Sequence, residues 1–257
     1  MSSHLFDLSN RVAVVIGGTS GIGRTLTLGL ASAGAHVVSS GRRQALIDEV
    51  ADEIEERGRR TLRQATDVND TASLENLRDA CLGEFGQIDI LVCAAGITRR
   101  QPSVDVSDAD WERVIETNLT GTFRACRVFG TPMLERKAGR IINIASLSSF
   151  AGFFEVSSYT ASKAGVAGLT RALAVEWAPY NVTVNAIAPG VFRTDLNSAL
   201  LDSPRGKELL MRTPMRRYGQ LEELVGAAVF LASDASAFVT GHLLAVDGGF
   251  LASGVNQ

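Results

Sequence analysis

The chain has 257 residues, 46% of them hydrophobic and 21% charged, with a formal net charge of −3. That length fits one large α/β domain with a sizeable core, and the mild acidity gives no electrostatic reason to expect nucleic acid or an anionic membrane as partner. Three scattered histidines (His4, His36, His242) and three separated cysteines (Cys81, Cys93, Cys126) supply neither metal-ligand spacing nor a redox pair, so no metal is expected and the thiols read as buried and reduced.

In chain order, the opening MSSHLFDLSNR lacks the apolar core of a signal peptide, and no later stretch reaches the roughly 20 apolar residues of a membrane span. A cytoplasmic protein acting on a small molecule is expected. Residues 11–16 (RVAVVI) read as a strand and run directly into Gly17-Gly18-Thr19-Ser20-Gly21-Ile22-Gly23, then into a helix striped with Leu26 and Leu30. Glycine leaves the backbone open to a pyrophosphate, and the helix N-terminus offers free N–H groups and a positive dipole end. A tight βα turn also uses glycines for shape alone. Residues 35–39 (AHVVS) form the second strand, followed by Ser40-Gly41-Arg42-Arg43. A carboxylate there would accept bonds from a free ribose 2′-hydroxyl, whereas an arginine pairs with a 2′-phosphate. No acid is present, so Arg42 favours NADP(H) over NAD(H), unless the two arginines only solvate the next helix. That helix, 44–57, repeats Leu46, Val50 and Ile54 every four residues, and a short strand is expected near 61–66.

Residues 88–93 (IDILVC) form a further strand that ends in Cys93-Ala94-Ala95-Gly96 and leads to Arg100; residues 140–144 (RIINI) form another, just before Ser146. In SSYTASKAGVAGLTRALAVEW, a helical stretch ended by Pro179, Tyr159 and Lys163 lie four residues apart and share one face. A tyrosine with its ordinary pKa near 10 is a poor proton carrier at neutral pH, and a nearby ammonium stabilises the phenolate. Residues 182–187 (VTVNAI) end at Pro189-Gly190-Val191-Phe192-Arg193-Thr194, and 243–246 (LLAV) form the last strand. Between them, 192–219 carries no strand signal and contains Pro204 and Pro214, so a substrate lid is expected there within a single domain, 1–257. From Arg193 to Arg217 it holds six basic residues (Arg193, Arg205, Lys207, Arg212, Arg216, Arg217) against three acids (Asp195, Asp202, Glu208). The alternation of β-branched runs with amphipathic ones predicts an α/β Rossmann-type doubly wound parallel sheet of about seven strands, with helices on both faces.

In order and spacing these motifs resemble the short-chain dehydrogenase/reductase family from residue 11 to about residue 250. The glycines look like that family's TGxxxGxG loop with Ile16 in place of its threonine, Ser146 stands 13 residues before Tyr159, and Asn118 stands 28 before Ser146. The resemblance implies hydride transfer between a nicotinamide and a carbon bearing hydroxyl or carbonyl. It implies a catalytic tetrad in which Ser146 hydrogen-bonds the substrate oxygen, Tyr159 exchanges its proton, Lys163 binds the nicotinamide ribose while tuning Tyr159, and Asn118 holds a relay water. It further implies that Gly17, Thr19, Ser20, Gly21, Ile22 and Gly23 cradle the dinucleotide and that Arg42 meets the 2′-phosphate. Asp67 and Val68 would meet the adenine, Ala95 and Gly96 the ribose, and Pro189, Gly190, Phe192 and Thr194 the nicotinamide side. Cys93-Ala94 departs from the family's two asparagines.

The runs Gly96-Ile97-Thr98-Arg99-Arg100, Asp110-Trp111, VFRTDLN and VDGGFLASG resemble the sugar-acid branch, above all gluconate 5-dehydrogenases and 2-deoxygluconate 3-dehydrogenases. On that resemblance Arg100 binds a sugar acid's carboxylate or hydroxyls. The lid's basic excess also suits a phosphopantetheine-linked substrate, so a 3-oxoacyl-thioester (acyl carrier protein) reductase is the second reading, and a catalytically retired dinucleotide sensor or scaffold the third. The family implies a homotetramer with the helices of Asn118 and Tyr159 at one interface, where Phe123, Val128 and Phe129 serve either that contact or the core.

Overall fold

The computed structural model describes residues 5–194 and 201–254; residues 195–200 of the expected lid, Asp195 included, lie outside the described residues. Six strands, β1 (Val12–Ile16), β2 (His36–Ser40), β3 (Ile90–Cys93), β4 (Gly139–Ile144), β5 (Val182–Pro189) and β6 (Leu243–Val246), form one parallel sheet in the order β2-β1-β3-β4-β5-β6. Every residue of β1, β3, β4 and β5 is buried. The runs of β1 and β3 are continuously apolar because a central parallel strand is covered on both faces, whereas β4 and β5 also bury the polar side chains of Arg140, Asn143, Thr183 and Asn185.

Successive side chains feed two separate cores. Val14, Ile16, Leu91, Ile141 and Val184 point into one, built with α3 (Thr71–Phe85), α5 (Gly121–Arg136) and α6 (Ser157–Trp177) through Leu74, Leu77, Phe129, Met133 and Trp177. Ala13, Val15, Val37, Val92 and Ile142 point into the other, with α1 (Gly21–Ser32), α2 (Gln44–Glu56) and α8 (Val225–Ala232) through Leu26, Leu30, Val50, Ile54 and Leu231. Two shorter helices, α4 (Asp108–Ile115) and α7 (Pro204–Arg212), lie toward the ends of the strands' connections. Among the described residues no helix is long and apolar enough to cross a membrane.

The expected seventh strand is absent. Residues 60–66 run beside β2 with only scattered bonds, Val37 N to Arg60 O (3.2 Å) and Thr66 N to Gly41 O (2.8 Å). Arg60 is instead paired with Glu84, and Arg63 reaches Asp52 and Glu55, so charged side chains blunt this sheet edge. In α2 the buried stripe is Ile47, Val50, Ala51 and Ile54, one position round from the expected stripe, with Leu46 only half-buried. Val128 and Phe129 belong to the core, and of the three apolar residues considered for an interface Phe123 alone is exposed, at 41%.

The order places β1 between β2 and β3, so the chain reverses its direction of winding at β1 and opens a crevice outside the carboxyl ends of β1 and β3. The glycine loop and residues 93–96 fall at those carboxyl ends, while Arg42, Ser146 and residues 189–194 stand at the carboxyl ends of β2, β4 and β5.

Candidate active site

At the exit of β1 the glycine loop closes on itself. Gly17 has φ +82°, and a Cβ there would stand 2.5 Å from Ala95 N; a Cβ on Gly23 would stand 2.0 Å from Gly17 O. These two glycines are demanded by the packing of the loop against itself and against the exit of β3. Gly21, at φ +50°, differs: a Cβ would meet nothing nearer than Thr194 Cγ2 at 3.9 Å. Of the three glycines read as room for a pyrophosphate, Gly21 is the one that would take a Cβ without a clash, and its positive φ is what calls for glycine there. Ser20 caps α1 in extended conformation without a side-chain bond, and no acid stands in the first turn. An uncapped, acid-free helix start fits an anionic pyrophosphate.

The neighbouring positions complete the cradle. Thr19 is buried against Gly41, while Ile22 reaches into the core beneath the loop. Arg42 and Arg43 are exposed at the exit of β2, and neither forms an ion pair among the described residues. Asp67 fixes its own turn, Oδ1 accepting from Asn69 N at 3.0 Å, and Val68 packs against Gly121 at the start of α5. Ala95 lies over Gly17, and Gly96 faces Asn118 and Lys163, with an added Cβ 3.4 Å from Asn118 Oδ1 and 3.7 Å from Lys163 Nζ.

Asn118 sits on a π-helical turn, Glu116–Thr120, between α4 and α5, where the expectation was ordinary helix. The extra residue turns the fully buried side chain inward. Its Oδ1 accepts from Ile97 N (2.8 Å), and its Nδ2 donates to Ile97 O (2.9 Å) and to Ser162 Oγ (3.0 Å). The amide thus clasps the loop after β3 to α6. Ser162, unremarked in the sequence apart from its place beside Lys163, is the residue that completes it.

Tyr159 and Lys163 project from the first turns of α6. Lys163 is 5% exposed; its Nζ donates to Ile144 O at 2.6 Å and lies 5.7 Å from the centre of the Tyr159 ring. Burial lowers its pKa to about 8, against a smaller opposing influence from Cys93. Ser146, directly after β4, accepts from Ser148 N at 3.1 Å and is hydrogen-bonded with Tyr159. Burial pushes the Tyr159 phenol up and the Ser146 bond pulls it down. The expected lowering by the Lys163 ammonium is not among the influences on Tyr159, whose net shift is upward because burial disfavours the charged phenolate more than the Ser146 bond favours it.

β5 delivers the last wall. Gly190 is pressed against Asp247, where a Cβ would come within 2.5 Å of Asp247 Cα, and Phe192 is buried against Gly219. Three of the six lid cations pair with acids, Arg193 with Asp202 (2.7 Å), Arg212 with Glu208 (3.3 Å) and Arg217 with Glu223 (2.6 Å); Asp202 and Glu208 are already counted against the basic excess read from the sequence, so only Glu223, from outside that stretch, lowers it. Arg100 is paired with Glu155, its Nε donating to Oε2 at 2.8 Å. Among the described residues no group of His, Cys, Asp and Glu is arranged to hold a metal ion.

The glycine loop stands at the switch point, with Ser146 at the exit of β4 and Tyr159 and Lys163 on the first turns of α6. The family described as Enoyl-(Acyl carrier protein) reductase matches residues 17–251. Over 254 residues the chain is 41% identical to 2-dehydro-3-deoxy-D-gluconate 5-dehydrogenase of Dickeya dadantii, covering 98% of this chain and 100% of the relative. Over 250 residues it is 40% identical to gluconate 5-dehydrogenase of Gluconobacter oxydans, covering 97% and 98%. The crystal structure of a gluconate 5-dehydrogenase from Burkholderia cenocepacia in complex with NADP and tartrate matches with a TM-score of 0.94 at 39% identity, covering 97% of this chain and 98% of that one. Fold, site and likenesses define an NAD(P)-dependent oxidoreductase acting on CH–OH groups. The chain belongs to the short-chain dehydrogenase/reductase family.

Proposed function

We propose that the chain is an NADP(H)-preferring dehydrogenase of sugar acids that interconverts a secondary alcohol and a ketone on a gluconate-like carbon chain. The observation that carries the chemistry is Tyr159, hydrogen-bonded with Ser146 and flanked by a Lys163 ammonium that the Ile144 carbonyl holds in place. The bound dinucleotide supplies or accepts the hydride. Tyr159 gives its proton to the oxygen of a ketone being reduced and takes it back in the oxidative direction, while Ser146 donates a hydrogen bond to the same oxygen and stabilises its developing charge. Lys163 and Gly96 bound the place of the nicotinamide ribose. Gly21, Ser20 and Thr194 surround that of the pyrophosphate and carboxamide, and Asn118 positions Ile97 and α6 rather than touching substrate.

Sugar-acid chemistry is supported by the likeness to the 2-dehydro-3-deoxy-D-gluconate and gluconate 5-dehydrogenases of Dickeya and Gluconobacter. Preference for NADP(H) is supported by the exposed Arg42 at the end of β2, where no acid stands to meet a free 2′-hydroxyl. We also read residues 192–219 as the substrate lid, and the protein as a cytoplasmic homotetramer; the exposed Phe123 on α5 and three buried free thiols support the last two points.

The test is a steady-state panel of 5-keto-D-gluconate, other keto-acids and an acetoacetyl thioester, each with NADPH and NADH. The expected result is turnover of keto sugar acids with higher kcat/KM for NADPH, and an Arg42→Ala variant that loses far more with NADPH than with NADH. Turnover of the thioester alone would overturn the substrate class, and higher kcat/KM with NADH the cofactor preference.

A further inference from the structure

Arg205 stands apart from the other lid cations. It occupies the second position of α7, behind Ser203 and Pro204, and the start of this helix is tightly fixed. A Cβ on Gly206 would lie 2.0 Å from Leu201 O, and that same carbonyl accepts from Tyr218 Oη at 3.0 Å. Arg205 is half-buried, and its Nη1 is shut off from solvent without a hydrogen-bond partner among the described residues. Arg193, Arg212 and Arg217, in contrast, each meet an acid at the surface.

The groups near Arg205 come from the two segments that flank the catalytic residues. Arg100 lies four residues beyond Gly96, the glycine that faces Asn118 and Lys163. Glu155 lies four residues before Tyr159, in a left-handed conformation (φ +63°), and its carbonyl accepts from Gln101 N at 2.9 Å. Its carboxylate takes the bond from Arg100 Nε. Burial lowers the pKa of Arg205, the charge of Arg100 lowers it further, and Glu155 and Glu208 oppose both. Arg205 itself forms no ion pair among the described residues: the Glu155 carboxylate is bonded to Arg100, and Glu208 is engaged with Arg212.

Buried guanidinium N–H groups are normally satisfied, and the partner that suits a planar pair of donors best is a carboxylate. We propose that Arg205 is a specificity-determining residue: with Arg100 it forms a two-guanidinium anchor for the carboxylate of the sugar acid, and Glu155 is the internal carboxylate with which the substrate competes. This rests on the sugar-acid reading above and adds to it the residue from the lid that recognises the acid end. Because α7 carries Arg205, binding of the acid also ties the lid to the loop after β3.

The test compares wild type with Arg205→Met, Arg205→Lys and Glu155→Gln, using 5-keto-D-gluconate and the neutral ketose D-fructose with NADPH. Arg205→Met should lower kcat/KM for the keto acid by about tenfold or more, carried by KM, a loss sized to one charge-assisted hydrogen bond. Arg205→Lys should restore part of it, and Glu155→Gln should lower the KM. An unchanged KM for the keto acid, or equal losses on acid and neutral ketose, overturns the proposal. Should wild type turn over no sugar acid, the substrate reading fails separately, and calorimetric titration of D-gluconate into the protein with NADP decides Arg205. Weaker binding by Arg205→Met sustains the anchor, whereas equal binding, or none by wild type, overturns it.

Discussion

The wall of the crevice formed by α6 and the π-helical turn differs from the wall formed by the lid in how its polar groups are satisfied. On the first wall Asn118 makes three side-chain bonds, Lys163 Nζ is held by Ile144 O, and Ser149 Oγ donates to Lys163 O at 2.7 Å, all in buried or half-buried surroundings. On the second, the ion pairs lie at the surface, Thr213 Oγ1 donates to Leu209 O, and a charged group, Arg205, has its buried Nη1 without a partner among the described residues; the first wall leaves only a neutral hydroxyl, Thr160 Oγ1, in that state. Proton transfer needs atoms held in one place, whereas choice of substrate needs groups whose satisfaction depends on what is bound. The first wall is built for reaction and the second for selection.

Four changes test that division, starting with the largest effect. Tyr159→Phe removes the proton carrier and should lower kcat/KM by about 10²- to 10⁴-fold, while dinucleotide binding, followed by fluorescence titration, stays as in wild type. Unchanged activity would move the reaction to another wall. The second change reads the Lys163 pKa. Its folded value of about 8 lies below its unfolded value, so between the two the unfolded chain holds more protons and stability rises with pH. The full rise is on the order of 3 kcal/mol. Urea unfolding at pH 7.5 and pH 10 should show Lys163→Met missing that increment relative to wild type, and identical pH slopes would mean that the ammonium is not desolvated.

Third in size is the clasp. Asn118→Ala strands the N–H and carbonyl of Ile97, at about 1–3 kcal/mol for each group left buried without a partner. Thermal unfolding should show a Tm several degrees lower. Loss of activity at an unchanged Tm would instead assign the amide a direct part in the chemistry. The smallest effect belongs to the lid. Arg217→Ala breaks an exposed pair with Glu223 that solvent screens, and the Tm should not move measurably. A clear drop would show the lid to be as firmly built as the wall opposite.

Much of this was legible in the sequence because it is local. The continuous apolar runs of β1 and β3 announce buried parallel strands, the glycine loop follows its strand without a gap, and Tyr159 and Lys163 share a face by helical periodicity. What was not legible depends on contacts between distant segments. Residues 61–66 have the composition of a strand, yet at the sheet edge their arginines find acids on α2 and α3. The Asn118–Ser162 bond spans 44 residues and the Arg100–Glu155 bond 55, and no periodicity records either. Gly17 and Gly21 look equivalent in the motif, but only the surrounding structure shows that one has no room for a Cβ while at the other a Cβ would meet Thr194 Cγ2 at ordinary contact distance.

One consequence concerns the cysteines. Cys81, Cys93 and Cys126 all lie in the core between the sheet and α3, α5 and α6, and the core on the opposite face contains none. Burial pushes the Cys81 thiol up to about 12, and Cys93 is raised by its contact with Cys126 and by burial. In the native state neither offers a thiolate, so a thiol reagent in solution reacts only when that layer opens. The unaltered chain therefore carries its own one-sided gauge of opening: labelling rates time the parting of α3, α5 and α6 from the sheet and stay silent while α1, α2 and α8 move.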